Sequence, residues 1–312
     1  MSLADVFSLL VLGQGKSGLD VARWALAHPE RVSAVTVYGG GTSEPNDATR
    51  ALEAAGASFV YGTEQVEGAY DVCVTCPGIS EFSGFFKAGR EHAAQIMGEP
   101  EFAYRLSPDN WIAITGTNGK TTTTSLIYRI LRDAGMNVAL GGNIGESFAY
   151  SVATGEYDWY VLELSSFQLD GMYRFRAHIG VLTNITPDHL DRYDHCFQNY
   201  VDAKMRITQN MTSRDFFIYS GDDEVIWQQL PKYDFRMKQL PFAARNAVAS
   251  GAGDAFLCDG SFTATVGRTS VEIDTAKLRI KGLHNAYNAM AAALAALAAG
   301  VSPDRVRQSL YD

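Results

Sequence analysis

Basic residues, cysteines and long apolar runs are all scarce in this 312-residue chain. Lys and Arg total 26 against 35 Asp and Glu, a net charge of -9 without any basic cluster, which argues against binding the phosphate backbone of nucleic acid. No apolar run reaches the ~20 residues that span a bilayer, and no basic region precedes an apolar stretch at the start. We therefore expect a cytoplasmic protein that binds neither nucleic acid nor membranes.

The four cysteines are too few and too scattered for a disulfide framework, which favours a reducing compartment. Two of them form Cys73-x-x-Cys76, a spacing that also occurs in metal and redox sites. The segment around them is apolar and strand-like, and residues three apart on a strand face opposite sides. Two small core residues at the end of a strand are the better interpretation.

The composition, with 46% hydrophobic and 20% charged residues, is that of a soluble globular protein, and the length predicts two domains. Apolar strand-like runs alternate with helix-like stretches, a pattern typical of α/β folds with a mostly parallel sheet. We predict a Rossmann-like parallel-sheet domain over residues 1–107 and a second α/β domain over residues 108–312. Short alternating segments between residues 255 and 273 predict a small antiparallel addition to the second domain.

A first glycine loop, Gly13-x-Gly15-x-x-Gly18, follows the first predicted strand and matches the dinucleotide-binding pattern. That pattern also requires an acidic residue about 20 positions later to bind a ribose hydroxyl. Tyr38, followed by three glycines, occupies this position instead. NAD-dependent oxidoreduction therefore loses its main support, whereas another diphosphate-containing ligand at this loop remains open.

A second glycine loop, Thr115-Gly-Thr-Asn-Gly-Lys-Thr121, lies between a predicted strand and a predicted helix. In such a loop backbone N–H groups surround phosphate oxygens, Lys120 neutralises the β and γ phosphates, and the Thr121 hydroxyl can ligate Mg²⁺. The spacing is not that of the general triphosphate loop, because Ile114 stands six positions before Lys120. We predict a nucleoside triphosphate site here, the alternative being an ordinary strand-to-helix turn with a surface lysine.

Three further polar residues stand downstream of this loop. Glu163 lies near the end of an apolar strand, where a carboxylate is costly unless it is paired or binds a metal, so it is a candidate Mg²⁺ ligand beside the loop. His189, among acidic neighbours, has three possible roles: metal ligand, base, or hydrogen-bond partner of those neighbours. Lys204, judged by its spacing alone, is a solvated helix lysine.

Together these motifs resemble the Mur ligase family, ATP-dependent amide-forming ligases of peptidoglycan precursor synthesis. The resemblance rests on the second glycine loop, on Glu163-Leu-Ser-Ser-Phe-Gln-Leu169, on Asp188-His-Leu-Asp-Arg-Tyr193 and on Gly282-Leu-His-Asn-Ala-Tyr-Asn288. The residues after the strand glutamate are those of the branch that adds D-glutamate. This implies ATP, UDP-N-acetylmuramoyl-L-alanine and D-glutamate as small-molecule substrates, and we expect a monomer.

The resemblance also implies a role for each matching residue. The expected catalytic residues are Lys120, His189 and Lys204. Thr121 and Glu163 would hold one Mg²⁺, and His189 would hold a second together with Lys204, whose carbamate, formed from CO₂, would turn a cation into an anionic oxygen ligand. ATP would contact Gly116, Thr117, Asn118, Gly119, Lys120, Thr121 and Thr122, with Asn285 and Asn288 on the adenine side. The UDP-linked substrate would contact Gly15, Ser17 and Gly18 through its diphosphate, and Asn143 and Ser165 elsewhere.

Family members carry a third, C-terminal domain that contributes contacts to ATP and to the incoming amino acid. The resemblance predicts that this chain lacks that domain and has at most weak complete turnover. The implied reaction starts with attack of the substrate carboxylate on the γ-phosphate, and the amine of D-glutamate then displaces phosphate from the acyl phosphate. Another Mur-type amino acid ligase and a non-catalytic nucleotide-binding protein on the same scaffold remain alternatives.

Overall fold

The computed structural model describes residue 3 and residues 6–107, 110–244 and 254–312, which form an α/β protein with two sheets. Within these ranges no helix has both the length and the apolar character needed to cross a bilayer.

The chain divides into two compact units that interleave along the sequence. Unit 1 comprises Met1–Pro108 and two later segments, Gly145–Glu156 and Phe167–Phe175. Unit 2 comprises the rest, and it is therefore interrupted twice by segments that pack with unit 1. A single boundary along the chain does not describe this arrangement.

Unit 1 is built on a parallel sheet whose five described strands are ordered β3-β2-β1-β4-β5. The central strand is apolar except at Ser8 and is buried at its other five positions, as expected for a parallel sheet covered by helices. The strand order reverses between β1 and β4, and open α/β sheets bind ligands at the carboxyl ends of such strands. The elements are β1 (Phe7–Leu12), α1 (Lys16–Ala27), β2 (Val32–Tyr38), α2 (Asp47–Ala54), β3 (Ser58–Val60), β4 (Tyr70–Thr75), α3 (Gly84–Glu91), β5 (Ala93–Gly98) and α4 (Glu99–Leu106).

The second part of the chain continues the strand-helix alternation and then turns to short strands. Its elements are β6 (Trp111–Thr115), α5 (Lys120–Asp133), β7 (Val138–Gly142), α6 (Phe148–Thr154), β8 (Trp159–Glu163), α7 (Ser166–Asp170), β9 (Ile179–Leu182), α8 (Phe197–Met205), β10 (Phe216–Ser220), α9 (Glu224–Gln229), β11 (Lys238–Ala243), β12 (Ala255–Cys258), β13 (Ser261–Val266), β14 (Thr269–Asp274), α10 (Leu283–Ala298) and α11 (Pro303–Tyr311). Helix α6, and α7 from its second residue onward, belong to unit 1.

In unit 2 the described strands form one sheet in the order β14-β13-β12-β11-β10-β9-β6-β8-β7. Pairing is parallel from β7 through β12 and antiparallel from β12 to β14. The predicted antiparallel addition is confirmed, and it extends the parallel sheet directly. The alanine-rich helix α10 is buried from Asn288 through Leu297 in the core of this unit, where small side chains allow close packing against the sheet and α5.

Glu101, a buried carboxylate on α4, binds one of the returning segments of unit 1. It accepts hydrogen bonds from the backbone N–H groups of Tyr173, Arg174 and Phe175 at 3.1, 2.9 and 2.9 Å. It also pairs with Arg105 one turn later on α4, at 2.7 Å. A fully buried carboxylate with this many donors is well satisfied.

Glu99, two residues earlier, binds the other returning segment under less favourable conditions. Its carboxylate accepts a hydrogen bond from the backbone N–H of Ala149 at 2.6 Å. Burial raises the pKa of Glu99 to about 7, the N–H of Ala149 opposes this rise, and the nearby buried carboxylate of Asp20 adds to it. Asp20 in turn accepts a hydrogen bond from the Ser147 hydroxyl at 2.7 Å.

Candidate active site

The second glycine loop connects β6 to α5, and we call residues 115–121 the phosphate loop. Gly116 has a φ of 144°, and a Cβ at this position would lie 1.9 Å from Oγ1 of Thr183. Gly119 has a φ of 83°, and its Cβ would lie 2.5 Å from Oδ1 of Asn288. Both glycines are therefore required by backbone conformation and by close neighbours, as the strand-loop-helix pattern predicts.

Two lysines converge on one carbonyl of the phosphate loop. Lys120 Nζ donates to the carbonyl oxygens of Gly116 and Thr117 at 3.0 and 2.9 Å, and Lys204 Nζ donates to the Gly116 oxygen at 2.7 Å. Burial lowers the pKa of Lys120, and the carboxylates of Glu163 and then Asp188 oppose this shift. Burial, and then the positive charge of Lys120, lower the pKa of Lys204 to about 7 against the opposing charge of Asp188.

Lys204 is only 2% exposed, so the expectation of a solvated helix lysine, drawn from its spacing alone, is wrong. Helix α8 turns this side chain inward, and its ammonium nitrogen lies 4.6 Å from the centre of the Tyr200 ring. The Tyr200 hydroxyl is 3.1 Å from Oγ1 of Thr117 in the phosphate loop. One face of α8 therefore packs against the loop, and this contact buries the lysine.

Glu163 is the last residue of β8 and is 1% exposed. Its Oε2 accepts a hydrogen bond from the Thr121 hydroxyl at 2.8 Å, and its Oε1 accepts one from Asn143 Nδ2 at 2.9 Å. Gly142, with a φ of 96°, allows this approach, because a Cβ there would lie 2.2 Å from the Glu163 carbonyl oxygen. The structure thus brings three of the predicted site residues together, while Ser165 follows two positions later and is half-buried.

His189 lies in the loop after β9 with a left-handed φ of 48° and an exposed side chain. Its Nε2 is 3.5 Å from Oδ2 of Asp188, and its backbone N–H donates to Oδ1 of the same residue at 2.9 Å. Asp188, whose charge acts on both Lys120 and Lys204, received no role from the sequence, although it stands beside the predicted histidine. Over the described ranges, no group of three or more His, Cys, Asp and Glu side chains could hold a metal ion.

A cavity of about 870 Å³ opens beside the phosphate loop in unit 2. Asn288 on α10 is buried, accepts a hydrogen bond from the Thr123 hydroxyl at 3.2 Å and donates to Asn285 at 3.2 Å. Asp222, which sequence reasoning missed, lines the same cavity and accepts a hydrogen bond from the Tyr287 hydroxyl. The lining also includes Asn118, Gly119, Thr122, Thr183, Asn184, Phe242 and His284. Its size suits a nucleoside.

In unit 1 the first glycine loop is compact at Gly18, where a Cβ would lie 2.2 Å from the carbonyl oxygen of Gly13. Gly15, by contrast, precedes α1 with a φ of -70° and open space around its missing Cβ, which leaves the start of that helix accessible. Ser17 is half-buried in the first turn of the same helix. Cys76 contacts this loop through a sulfur 3.5 Å from the Gly13 oxygen, and both it and Cys73 are buried, which confirms the core interpretation.

The dinucleotide-binding pattern has its ribose-binding acid at the end of the second strand, where β2 ends in Tyr38 and glycines follow. Gly39 directly follows β2, and a Cβ on it would lie 2.4 Å from Oγ of Ser43 and 2.8 Å from Oε1 of Gln14. A side chain on Gly39 would require the side chains of Ser43 and Gln14 to shift.

Comparison with known proteins agrees with this geometry. The profile of the Mur ligase middle domain matches residues 114–296. The chain belongs to the Mur ligase family, whose members are ATP-dependent amide-bond ligases. A UDP-N-acetylmuramoylalanine–D-glutamate ligase of Bacteroides fragilis is 43% identical over 307 residues, which cover 97% of this chain and 67% of the relative. A ligase of the same name from Bacteroides thetaiotaomicron is 45% identical over 81% of this chain and 56% of its own length.

Solved structures share the fold at lower identity. The UDP-N-acetylmuramate:L-alanyl-gamma-D-glutamyl-meso-diaminopimelate ligase of Neisseria meningitides superposes with a TM-score of 0.64 at 18% identity, covering 98% of both chains. UDP-N-acetylmuramate-alanine ligase of Thermotoga maritima gives a TM-score of 0.55 at 19% identity, over 98% of this chain and 68% of that one. The α/β architecture with one parallel and one mixed sheet is that of Mur ligases.

Proposed function

We propose that this chain carries the nucleotide and UDP-substrate sites of an ADP-forming ligase that joins D-glutamate to UDP-N-acetylmuramoyl-L-alanine in peptidoglycan precursor synthesis. The observation that carries the proposal is the Thr121–Glu163–Asn143 contact set at the start of α5. Its hydroxyl and carboxylate are the groups that a magnesium nucleotide requires beside a phosphate loop. Similarity to relatives named for D-glutamate addition supports the choice of amino acid.

ATP would lie along the phosphate loop with its nucleoside in the 870 Å³ cavity. The first N–H groups of an α-helix such as α5 have no partner within the helix and lie at the positive end of its dipole, so they would favour the phosphates. Lys120, now bonded to two loop carbonyls, would exchange these contacts for the β and γ phosphates. Asn285 and Asn288 would contact the adenine side.

The residues at the loop fit divalent cations. Thr121 and Glu163 offer hard oxygen ligands, and Mg²⁺ commonly takes one or two protein ligands and completes its shell with phosphates and water. His189 and Lys204 would hold the second ion. Bound Mg²⁺ would neutralise charge on the transferring phosphoryl group.

Lys204 suits the expected carbamate. With a pKa of about 7, a large fraction of its side chains are neutral amines near pH 7. The amine lone pair would attack the carbon of CO₂, forming an N–C bond, and the nitrogen would release one proton to solvent. The resulting anion would replace the repulsion between Lys204 and Lys120 by attraction.

In the reaction the alanyl carboxylate of the UDP-linked substrate would attack the γ-phosphorus of ATP, and ADP would leave. The amine of D-glutamate would then attack the acyl carbon, lose a proton, and displace phosphate. Lys120 would stabilise the charge on the phosphoryl oxygens, and Asn143 would orient the reacting carboxylate. The start of α1, with Gly15, Ser17 and Gly18, would hold the UDP diphosphate. No side chain of the protein would attack ATP or the acyl phosphate in this ligation.

The nucleotide part of the proposal is tested by calorimetric titration of the 312-residue chain with ATP in the presence and absence of Mg²⁺. We expect Mg²⁺-dependent binding that Lys120→Ala weakens at least tenfold, while Lys277→Ala at an exposed ion pair has no effect. Absence of ATP binding would refute the proposal.

The choice of amino acid is tested by phosphate release from the complete gene product, with D-glutamate, L-alanine or a diamino acid as acceptor. We expect release with D-glutamate alone, and release only with another amino acid would identify a different Mur-type ligase. ATP binding without release in any case would favour a non-catalytic nucleotide-binding protein. We further propose a cytoplasmic monomer, a location supported by the few, scattered cysteines.

A further inference from the structure

Asn184, two residues after β9, makes an unusual set of contacts with the phosphate loop. Its Oδ1 accepts a hydrogen bond from the backbone N–H of Asn118 at 2.8 Å, and its Nδ2 donates to the carbonyl oxygen of Asn118 at 2.9 Å. Its backbone carbonyl accepts from the N–H of Thr117 at 2.9 Å. A single residue thus binds the polar backbone groups of two consecutive loop residues.

The side-chain amide of Asn184 here replaces a strand neighbour. Pairing between β6 and β9 ends at Thr115 and Leu182, and the loop leaves the sheet immediately afterwards. Beyond that point the amide donates to and accepts from the backbone of Asn118, the exchange that two residues of a hydrogen-bonded antiparallel pair make. The exchange thus fixes the backbone of the phosphate loop two residues after Gly116, whose φ is 144°.

Further hydrogen bonds hold the backbone of Asn118 in place. The Thr183 hydroxyl donates to the carbonyl oxygen of Asn118 at 2.7 Å, so this oxygen accepts from two side chains. The N–H groups of Thr117 and Asn118 are both engaged by Asn184. Phosphate oxygens would therefore meet the N–H groups from Gly119 onward, at the start of α5, and the direction of these groups depends on where Asn118 is held.

We propose that Asn184 is a positioning residue for triphosphate binding, acting through the backbone of Asn118. Both polar atoms of its amide are bonded to the loop, so the amide acts on the phosphates through loop geometry. The inference rests on the proposed function, because it assigns the phosphate loop to ATP. Because Asn184 also lines the cavity that would hold the nucleoside, the prediction is that its amide matters more for the β and γ phosphates than for the nucleoside.

The test compares ATP with AMP, which lacks those two phosphates. The variants are Asn184→Leu, which keeps the volume and removes the amide, and Asn184→Ala, which serves if the larger apolar side chain prevents folding. Asn199→Ala is the matched control, since it removes an exposed amide on α8 that donates to a carbonyl outside the phosphate loop. ATP affinity is measured by calorimetry with Mg²⁺, AMP affinity by ligand-observed NMR titration, and the nucleotide-free melting temperature of each variant checks folding.

We expect the Kd for ATP to rise about tenfold in the Asn184 variants, or 1.4 kcal/mol, while the Kd for AMP changes less than twofold. An equal loss for ATP and AMP would indicate a general structural role and overturn the inference, and unchanged ATP affinity would overturn it as well. In both cases ATP binding by the unaltered chain leaves the proposed function intact. Failure of the unaltered chain to bind ATP would refute both.

Discussion

The paired buried glutamates of α4 allow a sharp prediction, because the same substitution should have opposite effects at two positions in one helix. In Glu101→Gln, a carboxylate that accepts three backbone N–H groups and pairs with Arg105 becomes a neutral amide. The amide NH₂ group then faces N–H donors, and Arg105 loses its counter-charge. Glu99→Gln removes instead a carboxylate beside the buried Asp20.

The expected magnitudes follow from these contacts. Hydrogen bonds to a charged group contribute ~1.5–3 kcal/mol each, and breaking one partner of a buried ion pair costs ~3–5 kcal/mol. We therefore expect Glu101→Gln to lower the free energy of unfolding by about 3–5 kcal/mol. For Glu99 a pKa raised from 4.5 to about 7 corresponds to at most ~3 kcal/mol of penalty on the charged form.

The effect of Glu99→Gln on the free energy of unfolding depends on pH. An acid whose folded pKa is raised binds more protons in the folded state between pH 4.5 and about 7, so stability falls as pH rises through this interval. At pH 8 the folded protein carries the buried charge, and Glu99→Gln should stabilise it by ~1–3 kcal/mol. At pH 4 the glutamate is protonated in both states, and the variant should match the unaltered chain.

The assays are urea unfolding at the two pH values and hydrogen exchange by mass spectrometry. In Glu101→Gln, peptides that cover Phe167–Phe175 should exchange faster, because three of their N–H groups lose a charged acceptor. A change in unfolding free energy below ~1 kcal/mol for Glu101→Gln, or destabilisation by Glu99→Gln at pH 8, would refute this account of the two sites.

Three further predictions concern the ligand sites. Glu163→Gln should keep the fold, because an amide can accept a hydrogen bond from Asn143 and donate one to Thr121. It should nevertheless weaken Mg²⁺-dependent ATP binding at least tenfold. Unchanged binding in calorimetry would exclude Glu163 as a metal ligand. The pKa of Lys204 in the folded chain is lowered from 10.5 to about 7, so between these pH values the unfolded chain binds more protons than the folded one. The free energy of unfolding, measured with urea in CO₂-free buffer, should therefore rise with pH across this interval. Lys204→Met should lose this contribution to the pH dependence. Gly18→Ala should lower the free energy of unfolding by ~1–3 kcal/mol, because its Cβ would overlap the Gly13 carbonyl oxygen. Gly15→Ala, with open space around the added Cβ, should leave stability nearly unchanged. Equal effects of the two substitutions on thermal stability would contradict this difference.

The local parts of the fold were predictable because their determinants lie close together in sequence. The phosphate loop combines a buried strand, two glycines with positive φ and a helix start within ten residues, and each leaves a mark in the sequence. Glu163 was detected in a similar way, as a carboxylate that interrupts an apolar strand. Ligation of ATP and metals at these positions remains a prediction.

Other features depend on contacts between distant residues and leave no local mark. The burial of Lys204 results from packing of α8 against Thr117, which stands 87 residues earlier in the sequence. The spacing of apolar residues in α8 is that of a helix with one exposed face, so it does not mark Lys204 as buried. Asn184 is an ordinary polar residue after a strand until the structure brings it to Asn118. Glu101 has the pattern of a first-turn helix acid, and nothing nearby in sequence identifies its partners at residues 173–175.

The interleaving of the two units has a consequence for synthesis of the chain. Because Gly145–Glu156 and Phe167–Phe175 pack with unit 1, this unit lacks part of its structure when Pro108 leaves the ribosome. It can be completed only after Phe175 has emerged, by which time the strands of unit 2 as far as β8 are already present. At ~5–20 residues per second this is a delay of several seconds, and the partners of Glu101 at residues 173–175 are missing until its end. Co-translational folding of the two units is therefore concurrent, and a gene fragment ending near residue 108 would encode unit 1 without two of its native segments.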